Sequence, residues 1–259
     1  MGLTSRSTGV GIFRSAGVAR DATRSELVVA LAGNPNTGKS TVFNGLTGLR
    51  QHTGNWPGKT VTVASGRYTH DGNVFLLVDL PGTYSLLTNS AEEEVARDFL
   101  LSGRPDATVV VADAACLERN LNLALQVIEI TPRTVLCVNL IDEARKSGIT
   151  VDVPSLERGL GIPVVATAAR SGAGLDDLKK AIAGVATGLI RPEPVPVPYS
   201  RRVLQAARRL APAILGLGFD ERGARWLAMN LLDSSGATRD SLLRFIAGRS
   251  ADGTGTGGS

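Results

Sequence analysis

Apolar residues in this chain fall into short dense runs, and the segments between those runs carry helical spacing or turn chemistry. Residues 27–32, 74–78, 107–111, 134–138 and 163–166 are almost wholly apolar, the pattern of strands covered on both faces. Residues 61–68 alternate only weakly and predict an edge strand, followed by the hairpin signal Asp71-Gly72. Between the strands lie helical stretches at 41–47, stopped by Gly48, at 120–130, ended near Pro132, at 155–160 and at 175–185. Ser90 with Glu93 three residues on predicts a capped helix running toward Leu101 and closed by Gly103. Residues 51–60 show no period and many turn formers, which predicts a long loop of the kind that carries function. Strands alternating with helices at this spacing predict an α/β fold, a mostly parallel, doubly wound sheet.

Past this alternation the pattern changes. Arg191-Pro192-Glu193-Pro194-Val195-Pro196-Val197-Pro198 places proline at every second position, which favours a stiff extended linker and forbids helix. Beyond it, residues 201–215, 221–232 and 240–247 read as three short helices. The expected organisation is an arm at 1–25, an α/β domain at 26–188, a linker at 189–198, a small all-helical subdomain at 199–250 and a disordered end at 251–259. The arm is rich in Ser, Thr, Gly and Arg, with Asp21 its one acid before Ser25, and it lacks the apolar core of a secretory signal, so disorder is expected. No internal repeat is visible.

Composition narrows the classes. The 259 residues carry a net charge of +4, too small a surplus to argue for nucleic acid by itself. No run approaches the ~20 apolar residues of a membrane helix. Cys116 and Cys137 lie apart without metal-type spacing, which suits a reducing compartment, and His52 and His70 are as solitary.

The chemistry concentrates at strand ends. Gly33-Asn34-Pro35-Asn36-Thr37-Gly38-Lys39-Ser40 matches the phosphate-loop pattern G-x-x-x-x-G-K-[ST], with a strand before it and a helix, opened by Thr41, after it. Such a loop turns backbone N–H groups toward phosphate oxygens at a helix N-terminus. Lys39 is expected on the outer phosphates and the Ser40 hydroxyl on Mg²⁺. Asp79-Leu80-Pro81-Gly82 ends a neighbouring strand, where Asp79 can hold Mg²⁺ and the Gly82 N–H can face a γ-phosphate.

Asn139 and Asp142 form N-x-x-D. A carboxylate there accepts from the guanine ring N–H and the exocyclic amine, a donor pair that adenine lacks. Leu140 occupies the place of the more usual Lys, and the competing reading of Asp142 is a helix N-cap. Ala168-Ala169-Arg170 falls where many GTPases carry Ser-Ala-Lys, which puts the Ala169 N–H within reach of guanine O6. Thr60, with Thr62 as its nearest competitor, is the candidate to complete Mg²⁺ coordination when GTP is bound. Thr83 stands where Ras-like enzymes put a water-orienting Gln. Arg50 and Arg67 remain as sources of an arginine finger, and the Asn36 carboxamide can substitute by coordinating a monovalent cation. The expected catalytic set is Asn36, Lys39, Thr60 and Gly82. The expected metal set is Ser40, Thr60 and Asp79 for Mg²⁺, with Asn36 for K⁺. Together these predict a P-loop GTPase.

The four motifs, with Gly54-Asn55-Trp56-Pro57-Gly58-Lys59-Thr60 as the specific one, resemble the cytosolic domain of the ferrous iron transport protein B family over residues 27–186. The helical tail resembles that family's guanine-nucleotide dissociation-inhibitor-like subdomain. The resemblance implies Asn36 as a K⁺ ligand and Thr60 as the switch-loop threonine. It implies GTP hydrolysis coupled to Fe²⁺ uptake at the cytoplasmic face of the inner membrane; with Asn36 as the cation ligand hydrolysis is expected to be potassium-stimulated, and with Thr83 in the Gln place either the backbone of the Trp56–Thr60 loop places the attacking water or hydrolysis is slow. The partners it implies are guanine nucleotide and a membrane iron-permease domain that this chain does not contain; nucleic acid is not expected, and self-association into a homo-oligomer stays open. Two other readings stand beside it. One is a soluble GTPase in ribosome or tRNA work, although the tail has no GXXG clamp among aromatics. The other, motivated by Thr83, is a nucleotide-gated binding module whose turnover is incidental.

Overall fold

The computed structural model describes residues 26–49, 51–56, 59–87, 90–234 and 236–253. The expected arm at 1–25, Arg50, the Pro57-Gly58 pair and the last six residues of the expected disordered end lie outside them. The five apolar runs form the strands they predict: β1 (Glu26–Gly33), β4 (Asn73–Asp79), β5 (Ala107–Asp113), β6 (Thr134–Asn139) and β7 (Val164–Ala166). β1 lies at the centre, parallel to β4 on one side and to β5 on the other, and β6 and β7 extend the parallel run. Along β1 the two faces alternate, Val28, Ala30 and Ala32 entering one core layer and Val29 and Leu31 the other. Both layers are apolar, which is why these strands show no polar face in the sequence.

The stretch 51–60 departs from the expected loop. β2 (Gln51–Asn55) pairs antiparallel with β3 (Thr62–His70), and β3 pairs antiparallel with β4, giving the sheet order β2-β3-β4-β1-β5-β6-β7. At this end of the sheet the edge strand is therefore β2 and not the 61–68 run. An edge strand needs only one hydrogen-bonded neighbour, and exposed His52, Thr53 and Asn55 carry none of the alternation that marks a half-buried strand. The β3–β4 turn is the expected tight hairpin, with Asp71 (φ 48°) and Gly72 (φ 76°) both left-handed, as the two-residue turn that matches strand twist requires.

Helices α1 (Lys39–Thr47) and α6 (Leu175–Thr187) cover one face of the sheet; α2 (Ala91–Ser102) and α3 (Leu117–Ile130) cover the other. Ser90 and Glu93 form the expected reciprocal cap of α2. Between β6 and β7 the chain makes α4 (Ile141–Lys146), which the sequence pattern did not announce, and α5 (Val153–Leu160).

Residues 191–200 form neither helix nor strand, as the alternating prolines dictate. The segment is laid down on the α/β unit: Val195 N–H donates to the Leu160 carbonyl at 3.1 Å, and Tyr199 Oη donates to Glu129 Oε1 at 2.7 Å. Then follow α7 (Arg201–Leu215), α8 (Glu221–Asp233) and α9 (Gly236–Gly253), the last longer at both ends than expected. Trp226, Leu227, Leu242 and Ile246 of the tail enter the same buried cluster as Val95, Phe99, Leu123 and Val127 of α2 and α3. The helical tail thus packs on the face of the sheet that carries α2. Among the described residues no helix is long and apolar enough to cross a membrane.

Candidate functional site

β1 ends at Gly33, where an added Cβ would stand 2.7 Å from the Val111 carbonyl oxygen of the neighbouring strand. The chain then turns back over the strand end. Asn36 (φ 65°) and Gly38 (φ 76°) both take the left-handed conformation, which costs a non-glycine residue energy and bends the backbone into a concave loop. The Thr37 hydroxyl clips this loop by donating to the Asn34 carbonyl at 2.9 Å. α1 opens directly after Gly38, which supplies no side-chain cap, so the first-turn N–H groups stay available to an anion. Asn36, Ser40 and Thr41 are exposed. Asn34 is the opposite case: it is 2 % exposed, and among the described residues neither its side-chain amide nitrogen nor its oxygen has a hydrogen-bond partner.

β1 and β4 pair with Leu31 opposite Asp79, which sets the two loops side by side. Lys39 Nζ donates to Asp79 Oδ1, an ion pair, and to the Leu80 carbonyl at 2.6 Å. Burial raises the Asp79 carboxyl above its ordinary value, and the charge and hydrogen bond of Lys39 pull it back. The ammonium at the foot of the loop therefore rests on two oxygens, the contacts that phosphate oxygens would also satisfy. Thr83 N–H donates to the Gly33 carbonyl at 3.2 Å, and Gly82 lies against Pro35. Thr83 is 3 % exposed, and its hydroxyl is engaged with the backbone of Ser85 as both donor and acceptor. The side chain in the usual place of a water-orienting Gln is thus turned into its own loop.

At the other end, Asn139 is fully buried and makes three hydrogen bonds. Its Nδ2 donates to the Thr37 carbonyl at 3.0 Å, while its Oδ1 accepts from Thr167 Oγ1 at 2.9 Å and from Ala169 N–H at 3.1 Å. The Ala169 N–H, expected on guanine O6, is held by Asn139. The sequence reading missed Thr167; its only signal is a hydroxyl residue directly before Ala168-Ala169. Leu140 (φ 60°) is the N-cap of α4 and gives it no side-chain bond. Asp142 is therefore not the cap. It lies in the first turn, half-buried, and among the described residues its carboxylate has no hydrogen bond or ion pair. Ala168 pairs with Ala173 across a short turn, with its N–H donating to the Ala173 carbonyl at 3.0 Å, and Arg170 projects from that turn, exposed.

At the end of the β2–β3 hairpin Trp56 N–H donates to the Val61 carbonyl at 2.7 Å, and Lys59 N–H to the Trp56 carbonyl at 3.1 Å. Of the two competing hydroxyls, Thr62 Oγ1 contacts Asn55 Oδ1 at 3.2 Å, and Thr60 is exposed. No hydrogen bond or ion pair joins Thr60 to residues 33–41 or Asp79 among the described residues, so the fold does not bring Thr60 into the Lys39–Asp79 cluster. Among the described residues no group of three or more His, Cys, Asp or Glu forms a metal centre. The Ser40 hydroxyl and the Asp79 carboxylate are hard oxygen donors, which fit Mg²⁺ when phosphate and water oxygens complete the shell; the Thr60 hydroxyl is a donor of the same kind but lies apart from them, and the Asn36 carboxamide is exposed.

Comparison with known proteins agrees with this arrangement. The family model described as ferrous iron transport protein B matches residues 27–182. The Fe(2+) transporter FeoB of Salmonella typhimurium is 38% identical over 235 residues, 87% of this chain but 29% of the relative. The chain spans less than a third of that protein's length. The apo cytosolic domain of the T. maritima FeoB iron transporter superposes with a TM-score of 0.74 at 36% identity, covering 85% of this chain and 86% of that one. A GDP form of the same domain gives 0.73 at 34% identity, over 88% of this chain and 95% of that one. The sheet, its helices and the phosphate loop are those of a P-loop GTPase fold.

Proposed function

The chain belongs to the ferrous iron transport protein B family, and on that premise we propose that it binds GTP and GDP and hydrolyses GTP in support of Fe²⁺ uptake. The observation that carries the reading is the Asp142 carboxylate, without a hydrogen bond or ion pair among the described residues and held one turn from an Asn139 that is itself bonded to the phosphate loop. In this reading the Asp142 carboxylate is the acceptor for the guanine edge, and the loop bonded to Asn139 is the cradle for the phosphates. The GDP-bound form of a structural relative supports the choice of nucleotide.

Each residue takes one task in this reading. The backbone from Gly33 through Thr41 receives the phosphates, Lys39 exchanges its contact with Asp79 for phosphate oxygens, and the Gly82 N–H meets the γ-phosphate. Leu140 packs beside the base, Asp142 reads it, and the loop of Ala168, Ala169 and Arg170 closes over its far edge. Ser40 and Asp79, joined by Thr60 once its loop moves in, would hold Mg²⁺, which would neutralise charge on the phosphates, and Asn36 would hold K⁺, which would supply the positive charge that an arginine finger gives elsewhere. With Thr83 turned away, no side chain at that position orients water, so turnover is slow. Pro81, between the end of β4 and Gly82, lies in the loop that faces the phosphates in this reading. The chain works at the cytoplasmic face of the membrane beside a permease domain outside this sequence.

The test is competition binding of a fluorescent GDP in Mg²⁺. Preference for GDP over ADP of about a hundredfold or more is expected from the loss of two hydrogen bonds to a charged acceptor. Equal affinities would refute the assignment of Asp142.

A further inference from the structure

α7 opens with Arg201 and Arg202 and carries Arg208 and Arg209 one heptad further on, and residues 201–215 contain no Asp or Glu. At 3.6 residues per turn the four arginines fall within roughly 120° of the helix circumference. All four are exposed, and among the described residues none has a hydrogen bond or an ion pair. The opposite side of the helix, with buried Ala207 and Ile214 and half-buried Val203 and Leu210, packs into the core that the tail shares with the α/β unit. The arginine face is turned outward.

Helix stability does not place these charges there. Arg201 and Arg202 stand in the first turn, where the helix dipole disfavours cations, and no acid in that turn offsets them. Ser200 already caps this end, its hydroxyl accepting from the Val203 N–H at 3.3 Å. A helix face that serves only solvation mixes charges of both signs, and this one holds a single sign. The same line then turns apolar. Pro212 and Leu215, four and seven positions after Arg208, are both exposed, Leu215 by 38%.

A face that is cationic over two turns and apolar at its end fits the boundary between headgroups and acyl chains of an anionic bilayer. The arginines meet lipid phosphates and the apolar end enters below them. Nucleic acid would answer the charge as well, but residues 201–215 hold no aromatic side chain on which a base could stack. A second copy of the chain seated on this face would bring four cations against four.

We propose that the outward face of α7, formed by Arg201, Arg202, Arg208 and Arg209 with Leu215 at its end, docks on an anionic phospholipid surface. Neither nucleotide binding nor transport is needed for this docking, so it goes beyond the reading above. It lays α7 along the bilayer plane and holds the α/β unit packed on the tail close to the membrane. Lipid charge and ionic strength set the attraction, which fades beyond about 8 Å at physiological salt.

The test is co-sedimentation of the full chain with vesicles of phosphatidylcholine, alone or mixed with phosphatidylglycerol. Wild type is expected to bind the mixed vesicles, to leave the neutral ones unbound, and to lose binding as salt rises. Each arginine at a charged surface is worth about fivefold, so Arg201→Gln with Arg208→Gln, or Arg202→Gln with Arg209→Gln, is expected to weaken binding about twentyfold. Lysine at all four positions is expected to keep it. Arg145→Gln with Lys146→Gln removes the same charge from exposed positions of α4 and is expected to cost less than about twofold, because charge beyond a Debye length is screened. Thermal unfolding and fluorescent-GDP titration of the α7 variants are expected to match wild type, so a failure of the nucleotide reading shows there and not in the vesicles. No binding to the mixed vesicles, equal binding to the neutral ones, an equal loss in the α4 variant, or displacement by stoichiometric single-stranded RNA overturns the proposal.

Discussion

Asn139 at the end of β6 donates its amide to the carbonyl of Thr37, 102 positions earlier, at a distance of 3.0 Å. One buried side chain thereby connects the phosphate loop, the Thr167 hydroxyl and the Ala169 backbone. Replacing it with alanine leaves buried polar groups without partners, at a cost of about 1–3 kcal/mol for each group left unmatched. Asn139→Ala should therefore lower the unfolding temperature by several degrees, at about 2–4 °C per kcal/mol for a chain of this size. Thermal unfolding of the nucleotide-free chain checks this; an unchanged midpoint would mean that Asn139 serves only the nucleotide.

Gly38 tests the same junction from the other side. Its φ of +76° is left-handed, and an added Cβ would run into the Asn139 amide nitrogen. Gly38→Ala combines left-handed strain of about 1–2 kcal/mol with displacement of that amide. Loss of nucleotide binding larger than the loss of stability is the expected outcome, measured by GDP titration alongside thermal unfolding.

Asp142→Asn should shift base preference. The carboxamide accepts where the carboxylate accepted but presents a donor at its second position, which suits the extra oxygen of xanthine and opposes the guanine amine. GTP affinity is expected to fall about ten- to a hundredfold, the worth of one or two hydrogen bonds to a charged group, while affinity for the xanthine nucleotide rises. Competition between the two nucleotides reads this directly, and an undiminished GTP affinity would contradict it.

The two cysteines should differ in reactivity. Cys116 is exposed and Cys137 buried; burial pushes the Cys137 thiol up to about 12, with the Thr167 hydrogen bond pulling slightly the other way. At pH 8 a thiol reagent is expected to titrate one group in the native chain and two after unfolding. The raised value means that the folded chain holds this proton more tightly than the unfolded one. Its contribution to stability is therefore whole below pH 9 and is lost as pH rises through about 12.

What the sequence made legible follows from what each element needs. The parallel strands are covered on both faces, so Val74 to Val78 and Thr134 to Val138 had to be apolar, and they announce themselves. β2 needs one neighbour and no core face, so Gln51 to Asn55 read as loop. The phosphate loop is local in sequence, and its pattern survives as a motif. Asn139 was legible as part of N-x-x-D, but its bonds to Thr37 and Thr167 depend on strand register. The pairing of Lys59 and of Ser241 with Glu94 on α2 was not legible, since nothing near either residue marks that partner. The tail helices were readable as helices, and their shared core with α2 and α3 was not, because it is set by packing across the linker.

A cation held by Asn36 is proposed to take the place of a catalytic side chain at position 83. Single-turnover GTP hydrolysis in matched KCl and NaCl tests it most directly. About tenfold or greater stimulation by K⁺ is expected for a preorganised charge at the transition state, and Asn36→Ala is expected to abolish it. Equal rates in the two salts, or a stimulation that survives Asn36→Ala, would contradict the account.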